Sequence, residues 1–399
     1  MRLNISFPAQ KILPFILILC LFPAIIFADT IHDYQTISDI INSVSIENIM
    51  KTISDLQENR DIDSPNKAYK SRYCLRVRET DNPSDGACDN AGDYIFKRLS
   101  DYGLQVEFAT FDHVITDKSS GKQNHYKMKN VVSTLLGKGS HSDKIFIICA
   151  HYDSIASLSA EWMWNWGILP APGADDNASG TSALMEIARI LSQYEFDFTV
   201  KFIAFSGEEL GMFGSKDYAK KAFSLNQQIV GVINLDMIGY DPNELDIDII
   251  ADQDSEWLAN AFEHNRKEFG IDLNTNKIIN PKMIYSDHSS FWKLGYSAIL
   301  VNEGVNAKSE RASEVNHTTD DTIDRLTPDL ILKTSKLAIS TLARLADPIG
   351  ETGNEINADL AIDIDPYDRS IISKPESPIT LEARIKNLGD EEADNVTTQ

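Results

Sequence analysis

The sequence predicts an α/β fold in which helices sandwich a mixed, mostly parallel β-sheet. Apolar runs at 145–150, 199–205, 229–235 and 298–301 lack an alternating polar face, as strands do when both of their faces are buried. Segments with helical spacing of apolar residues lie between them, including 256–269, which ends at Gly270, and a longer one at 329–346. Strands that alternate with helices in this way are typical of a sheet covered on both faces.

The first 28 residues have the pattern of a secretory signal peptide. Arg2 and Lys11 precede an apolar run at 12–27, and Ala28 supplies the small residue that cleavage requires. A retained membrane anchor is the alternative, but the run is short for a membrane span. We therefore predict an exported protein, secreted or periplasmic, with no stable membrane association after the signal is removed.

Two stretches that precede the first predicted strand, 37–56 and 91–103, have the apolar spacing of helices. Cys74 and Cys88 lie between them and flank a polar loop rich in Asn, Pro, Ser, Asp and Gly. Because exported proteins meet oxidising conditions, we expect these two cysteines to form a disulfide, which stabilises a loop of this size by roughly 3 kcal/mol. Cys149 lies inside an apolar run and is expected to be a core thiol.

Charge argues against two classes of partner. The 399 residues include 37 Lys and Arg against 60 Asp and Glu, for a formal net charge of -23, and the basic residues form no cluster. Nucleic acid and anionic membrane surfaces are therefore poor partners for this chain. With 42% hydrophobic and 24% charged residues, the composition is that of an ordinary globular protein with a large core.

Residues 172–180 read Pro-Gly-Ala-Asp-Asp-Asn-Ala-Ser-Gly and lead directly into a helical pattern at 184–191. Asn177 or Ser179 is able to cap that helix, so the carboxylates just before it are held by a rigid element. Taken alone, this stretch could be an ordinary loop with an N-cap. Its significance depends on the polar residues that follow the predicted strands.

Those polar residues lie where an open α/β sheet places its ligands, at the carboxyl ends of strands. Individually each could be ordinary: a histidine at a strand end, a turn aspartate, a surface histidine, or acids at a helix start. Together they supply imidazoles and carboxylates, a set that suits zinc better than calcium. We interpret them as a metal centre; the segments are 151–154 (His-Tyr-Asp-Ser), 206–211 (Ser-Gly-Glu-Glu-Leu-Gly), 234–237 (Asn-Leu-Asp-Met) and 316–320 (Asn-His-Thr-Thr-Asp).

The order of these motifs resembles the co-catalytic di-zinc aminopeptidases, a family that includes secreted bacterial leucyl aminopeptidases and, more distantly, glutamate carboxypeptidase II. The resemblance covers roughly residues 130–346. It rests on six motifs: His-Tyr-Asp-Ser at 151–154, Gly-Ala-Asp-Asp-Asn-Ala-Ser-Gly at 173–180, Phe-Ser-Gly-Glu-Glu-Leu-Gly at 205–211, Asn-Leu-Asp-Met at 234–237, Ser-Asp-His-Ser-Ser-Phe-Trp at 286–292 and His-Thr-Thr-Asp-Asp at 317–321.

The resemblance implies a role for each site residue and two Zn²⁺ ions as cofactors. Asp176 is expected to bridge both ions, through a loop in which the peptide bond to Asn177 is cis. His151 and Asp236 would hold one ion, and Glu209 and His317 the other. Asp153 would orient the His151 imidazole. Glu208 would be the general base that takes a proton from metal-activated water, whereas His288 resembles a structural residue of the family.

Two departures from the family pattern affect the substrate pocket. An insertion at 155–169 carries Trp162, Trp164 and Trp166, and we interpret it as an aromatic hairpin that lines or covers the pocket. The alternative is a satellite hydrophobic cluster on the surface. Asn316 precedes His317 where some relatives have a tyrosine that stabilises the oxyanion, and Tyr285 is a weak candidate to replace it.

The composition changes after residue 349. Glycines at 350 and 353 suggest a linker, and apolar residues then alternate at 360–364 and 380–385, as in strands. We predict three regions: a signal peptide at 1–28, a di-zinc peptidase domain at 29–349, and a linker with a partial immunoglobulin-like β segment at 350–399.

The resemblance implies a secreted zinc aminopeptidase that hydrolyses the first peptide bond of peptides with a free N-terminus. Alternatives with the same fold are a dipeptidase or carboxypeptidase, and a glutaminyl cyclase, which works with one zinc ion. A non-catalytic binding ectodomain is a third class, in which the metal ligands are lost. The complete ligand set and the paired Glu208 and Glu209 favour hydrolysis.

Overall fold

The computed structural model describes residues 34–60, 66–75, 86–116, 123–241, 245–303, 315–349, 360–363 and 384–387. The predicted signal peptide lies outside these residues. Within them, no helix has the length and apolar character that a membrane crossing requires.

One sheet of eight strands forms the centre of the described chain, in the order β1-β2-β4-β3-β5-β8-β6-β7. Its four central strands, β4, β3, β5 and β8, run parallel to one another. The pairs β1–β2, β2–β4 and β6–β8 are antiparallel, and β7 is parallel to β6. This confirms the predicted mixed, mostly parallel sheet. The strands are β1 (Gln105–Thr116), β2 (Gln123–Leu135), β3 (Lys144–His151), β4 (Thr199–Phe205), β5 (Gln228–Leu235), β6 (Asp246–Ala251), β7 (Asn274–Ile279) and β8 (Ala298–Asn302).

The four central strands match the predicted apolar runs to within one residue because both of their faces are covered by other elements. In β3, Ile145, Ile147 and Cys149 join an apolar cluster with Tyr218 and Phe291. The Cys149 thiol is buried, as expected of a core cysteine. The sequence pattern did not indicate β1, β2, β6 or β7, which carry polar residues among their apolar ones and lie toward the two edges of the sheet.

Helices cover this sheet, and most of the predicted ones are present. They are α1 (34–42), α2 (Ile46–Glu58), α3 (Ala87–Asp101), the short α4 (Trp162–Asn165), α5 (Gly180–Leu191), α6 (Phe213–Ser224), α7 (Glu256–Glu268), α8 (His288–Trp292) and α9 (Pro328–Ala346). Helices α5 and α9 pack on β3, whereas α8 packs on α6 and β5. The predicted helices at 256–269 and 329–346 correspond to α7 and α9.

The stretch with helical spacing at 37–56 is helical in the structure, which divides it into α1 and α2. Ser45 caps α2: its hydroxyl accepts a hydrogen bond from the Asn48 N–H at 3.2 Å. The Ser45 N–H donates to Glu186 of α5 at 2.9 Å, which holds the break against the core. A serine with these two partners favours a helix start over helix continuation.

Cys74 and Cys88 form the predicted disulfide. Cys74 lies near the end of the described segment 66–75, and Cys88 lies in the first turn of α3. The bond therefore ties this segment of the N-terminal region to a helix of the main body, where both elements pack against the rest of the fold.

The chain divides into two compact units, residues 1–350 and 351–399. In the second unit, β9 (Leu360–Asp363) and β10 (Arg384–Asn387) form an antiparallel pair. Two strands fit the alternating pattern of the sequence, whereas most of the predicted immunoglobulin-like segment lies outside the described residues. That assignment, like the three predicted regions, stays a prediction.

Candidate metal centre

The carboxyl ends of the parallel strands bring the predicted site residues to one edge of the sheet. His151 is the last residue of β3 and pairs with Phe205, the last residue of β4. Asp236 follows β5 directly, and Glu209 lies in the turn after β4. Residues separated by up to 85 positions in the chain thereby become neighbours, as expected of strand ends in an open α/β sheet.

Asp176 reaches the same edge from the turn between β3 and α5. This turn spans Ala174–Ser179, and its Asp176–Asn177 peptide bond is cis, as the family resemblance implied. The Asn177 side chain caps α5, because its Oδ1 accepts the Gly180 N–H at 2.9 Å, and its Nδ2 donates to the Leu235 carbonyl at 2.8 Å. One side chain therefore joins the Asp176 turn to the end of β5.

Five of the predicted site residues form two groups that share one carboxylate. In the first group, His151 Nε2 lies 3.1 Å from Asp176 Oδ1 and 3.2 Å from Asp236 Oδ1. In the second, His317 Nε2 lies 2.9 Å from Asp176 Oδ2 and 3.0 Å from Glu209 Oε2. The two oxygens of Asp176 thus face different groups, and in each group the nitrogen and oxygen atoms lie within 4.8 Å of one another.

These donor atoms fit zinc. Each imidazole nitrogen faces two carboxylate oxygens, although a nitrogen carries at most one proton to donate. His151 Nδ1 and Glu209 Oε1 are buried without a hydrogen-bond partner. Clustered carboxylates with unsatisfied atoms are stabilised by a cation, and imidazole with carboxylate is a set that zinc prefers. The described residues therefore provide places for metal on either side of Asp176.

The electrostatics of the two groups are strongly coupled. Burial lowers the pKa of His317, but hydrogen bonds to Asp176 and Glu209 outweigh it and raise the pKa to about 11. Burial raises the pKa of Glu209 to about 8, with the charge of Asp176 acting in the same direction. Burial also raises the pKa of Asp176, but its hydrogen bonds with His151 and His317 hold it well below the usual value. Positive charge is thus favoured between these carboxylates, whether protons or a metal supply it.

Glu208 lies beside the two donor groups and belongs to neither. Burial raises the pKa of Glu208 well above its usual value; His151 opposes this shift, and Asp287, Asp236 and Glu209 add to it. A carboxyl group that is easily protonated and belongs to neither donor group can exchange a proton with a bound molecule.

Asp153 contacts both halves of the site. Its Oδ1 accepts the Glu208 N–H at 3.1 Å, and its Oδ2 accepts the Glu209 N–H at 3.2 Å. The contact from Asp153 Oδ1 to His151 Nδ1 is longer, at 3.5 Å. The buried Asp153 therefore fixes the backbone of the Glu208–Glu209 turn, a role that its position two residues after His151 did not suggest. Its expected role in orienting the imidazole stays a prediction.

Further positioning contacts were missed in the sequence although their residues lie in the quoted motifs. Asp321 accepts the N–H groups of Asp175 at 2.9 Å and Asp176 at 3.1 Å, which joins the His317 loop to the Asp176 turn. Ser286 donates to Asp236 Oδ2 at 2.6 Å and accepts from Asn234 at 2.7 Å. The motifs at 286–292 and 317–321 pointed to these segments, but only the contacts assign the roles.

Three residues considered in the sequence lie outside both donor groups. His288 is buried, and its Nε2 lies 2.8 Å from the Met283 carbonyl oxygen, in keeping with a structural residue. Tyr285 is 43% exposed, and burial of its hydroxyl, with the charges of Asp236 and Asp248, raises its pKa. The phenol therefore keeps its proton at neutral pH, and its role at the oxyanion stays a prediction. Asn316 Oδ1 is buried without a hydrogen-bond partner.

The tryptophan insertion contains the short helix α4 instead of the expected hairpin. Trp162 is buried and packs edge-on against Tyr73, at 5.0 Å between ring centroids, within a small apolar cluster. Trp164, in contrast, is 81% exposed. The insertion is tied to the metal-centre loop because the Leu158 N–H donates to the His317 carbonyl at 2.9 Å. The small apolar cluster fits the surface-cluster interpretation, while the role of the insertion in lining the substrate pocket stays a prediction.

Comparison with known proteins finds similar sequences and folds. Residues 130–342, more than half of the chain, match the sequence profile of peptidase family M28. Leucine aminopeptidase 1 of Paracoccidioides brasiliensis is 28% identical over 258 residues, which cover 61% of this chain and 59% of that protein. The chain thus spans less than two thirds of that relative.

Solved structures share the fold. BSAP, a zinc aminopeptidase from Bacillus subtilis, superposes with a TM-score of 0.59 at 16% identity, over 76% of this chain and 96% of that one. The glutaminyl cyclase of Porphyromonas gingivalis superposes with a TM-score of 0.57 at 16% identity, over 76% and 99% of the two chains. The predicted α/β fold is thereby confirmed. The profile match, which includes all six motifs, shows that the chain belongs to peptidase family M28.

Proposed function

We propose that the protein is a secreted zinc-dependent aminopeptidase that removes the N-terminal residue of peptides. The observation that carries this proposal is the pair of donor groups that share Asp176, with Glu208 beside them and in neither. His151 and Asp236 would hold one zinc ion, Glu209 and His317 the second, and Asp176 both. When bound, zinc supplies Lewis-acid polarisation of the scissile carbonyl and lowers the pKa of the attacking water.

Glu208 performs the proton transfers in this proposal. Its carboxylate takes a proton from the attacking water, and the resulting carboxylic acid returns that proton to the nitrogen of the leaving amine. Glu208 must hold the proton between the two steps, and its burial, which raises its pKa, favours the protonated form in that interval. Asp153 positions Glu208 by accepting its backbone N–H.

A free α-amine at the substrate N-terminus fits the charge of the site. The carboxyl groups of Asp153 and Glu208 lie beside the donor groups and belong to neither, and negative charge at this place attracts an ammonium group. A carboxypeptidase would instead need an accessible cation for the substrate carboxylate. Arg72, whose charge reaches these acids, is fully buried and donates to backbone carbonyls, so it is not available for that role.

The remaining alternatives differ in the number of metal ions. A glutaminyl cyclase, which the fold also accommodates, uses one zinc ion, whereas both donor groups and the shared carboxylate are present in this chain. A non-catalytic ectodomain would have no reason to retain both groups together with Glu208. Export rests on the N-terminal pattern and is supported by the Cys74–Cys88 disulfide, because such bonds persist in oxidising compartments.

An assay with aminoacyl amides tests the proposal. We expect the purified protein to hydrolyse amides that carry a free α-amine, to lose activity with a chelator, and to regain it when zinc is added. N-acetylated amides should not be cleaved. Peptides with an amidated C-terminus should be cleaved as fast as peptides with a free C-terminus. Cleavage of acetylated peptides from the C-terminus, or cyclisation of N-terminal glutamine without hydrolysis, would identify one of the alternatives instead.

The insertion is expected to influence which substrates are cleaved. Replacing Glu161–Trp166 by a short Gly/Ser turn should change the relative kcat/KM values among aminoacyl substrates by about 10-fold, as loss of apolar contact in a pocket does. The double variant Met163→Ser/Trp164→Ser separates surface contact from packing. It removes exposed apolar surface but keeps Trp162 packed on Tyr73.

If the insertion lines the substrate path, both variants should shift the preference in the same direction. If it serves only packing, the trimmed protein should lose thermal stability, and neither variant should change the order of preferred substrates.

A further inference from the structure

Arg72 is an unusual residue for the interior of an acidic protein. Its side chain is fully buried, and it is the only buried lysine or arginine in the part of the chain that the structure describes. It lies in the segment 66–75, outside the residues that match the family profile. The profile match therefore does not include it, although its side chain bonds the chain beside His151 and just before the Asp176 turn.

The Arg72 guanidinium joins the two chain segments that carry His151 and Asp176. Its Nε donates to the carbonyl of Tyr152, the residue after His151, at 2.7 Å. Its Nη1 donates to the Pro172 carbonyl at 2.6 Å, and its Nη2 to the Gly173 carbonyl at 2.7 Å. Because a planar guanidinium has donors in fixed directions, these bonds determine the separation of the strand end and the turn.

Gly173 permits this close approach. Its φ is +53°, in the left-handed region, and a Cβ at this position would lie 2.8 Å from Arg72 Nη2 and 2.4 Å from the Asp176 carbonyl oxygen. A larger residue would displace either the guanidinium or the turn that holds Asp176. The sequence of the turn is thus adapted to a cation at this place.

The backbone of Arg72 is itself held in place. Its N–H donates to Ser154 Oγ at 3.0 Å, and that hydroxyl donates to the Ala171 carbonyl at 2.7 Å. The Asn59 side chain donates to the Ser71 carbonyl at 2.7 Å, and the disulfide of Cys74 follows two residues after Arg72. Because its backbone is fixed, the Arg72 guanidinium can restrain the loops that it binds.

The positive charge of Arg72 also acts on the acids of the metal centre. Burial lowers the pKa of Arg72 to about 10, against the charges of Asp321, Asp153, Asp176 and Glu209, so the group stays cationic at neutral pH. The guanidinium hydrogen bonds described above and a further one to Leu56 all go to backbone carbonyls, so none of these acids is a direct hydrogen-bond partner of the charge. The carboxylates of Asp176 and Glu209 therefore remain available to bind metal.

We propose that Arg72 is a positioning residue of the metal centre, which holds the end of β3 and the Asp176 turn at the separation that metal binding requires. This inference rests on the proposed two-zinc function. It differs from a purely structural role in one respect: loss of Arg72 should weaken zinc binding in protein that is still folded.

The test compares zinc affinity among folded variants. Zinc would be removed by a chelator, folding checked by circular dichroism, and affinity measured by competition with a chromophoric chelator. For Arg72→Met we expect zinc affinity to fall by about 10- to 100-fold, as it does when a residue that orients metal ligands is lost. Arg72→Lys keeps the charge but not the fork of donors, and should recover part of the loss.

Arg189→Met is the matched control. Arg189 also holds two elements together, through Glu186 and the Ser43 carbonyl, but bonds neither ligand loop. It should lose thermal stability and bind zinc with wild-type affinity. Wild-type zinc affinity in folded Arg72→Met would overturn the proposal.

If Arg72→Met does not fold, the zinc affinities of Arg72→Lys and Ser154→Ala test the proposal instead. Ser154→Ala keeps the guanidinium bonds but removes the acceptor of the Arg72 N–H and the donor to the Ala171 carbonyl, and should weaken zinc binding by about 2- to 10-fold. Wild-type affinity in both variants would overturn the proposal. Failure of the wild-type protein to bind zinc at all would instead refute the proposed function, so the two results are distinguishable.

Discussion

Replacing Glu208 by glutamine is expected to lower kcat by about 10²- to 10⁴-fold while both zinc ions stay bound. Glutamine has nearly the same shape but cannot take a proton from water, so the barrier should rise by about 3 to 5 kcal/mol. Metal binding should be unaffected because Glu208 belongs to neither donor group. The Asp153 contact should also persist, since it is made to the Glu208 backbone N–H.

Steady-state kinetics and metal analysis of the same preparation would check this result. KM should change little, because the substrate and the metal ions keep their contacts. Glu209→Gln is the natural control, as a neighbouring residue with the same chemistry and a different partner, His317 at 3.0 Å. If Glu208→Gln lost zinc and Glu209→Gln kept two ions with only a rate defect, the two assignments would be reversed.

Replacing Asp176 by asparagine is expected to remove hydrolysis by removing the metal. The two Asp176 oxygens face different donor groups, so one substitution affects both. Asparagine offers one neutral oxygen and an amide nitrogen that cannot act as a ligand, and it lacks the charge that offsets two cations. Zinc content should therefore fall from about two ions per chain toward none, and activity should fall with it.

Glu209→Gln separates this effect from general damage to the site. It alters only the second donor group, so its zinc content should fall toward about one ion per chain. Elemental analysis after dialysis against a defined free zinc concentration would measure both variants, with circular dichroism as the check on folding. Retention of two ions by folded Asp176→Asn would contradict the bridging role.

The sequence predicted the centre of the fold better than its edges. The strands β3, β4, β5 and β8 are buried on both faces, which leaves continuous apolar runs that are readily recognised. The outer strands β1 and β7 carry polar residues on exposed positions and produce no such run. The break between α1 and α2 was missed because apolar spacing continues across it, while the cap at Ser45 depends partly on Glu186, far along the chain.

The kinds of residues in the metal centre were also accessible from the sequence, because ligand chemistry requires imidazole and carboxylate at strand ends. Residue type and strand-end position indicated a metal centre and a cysteine pair, because these signals do not depend on how distant segments pack. The family resemblance then implied the individual roles: His151, Asp176, Glu209, Asp236 and His317 as candidate donors and Glu208 as the separate candidate base.

The supporting contacts were decided only by the tertiary structure. Asp153 accepts the backbone N–H groups of Glu208 and Glu209, which lie 55 and 56 positions further along the chain. Asp321 binds the Asp176 turn across 145 positions. Arg72 reaches the same turn from about 100 residues before it, without any motif to indicate this. Such hydrogen bonds arise when packing brings segments together, because a donor or acceptor buried by that packing must find a partner, and local sequence does not specify which partner will be in reach.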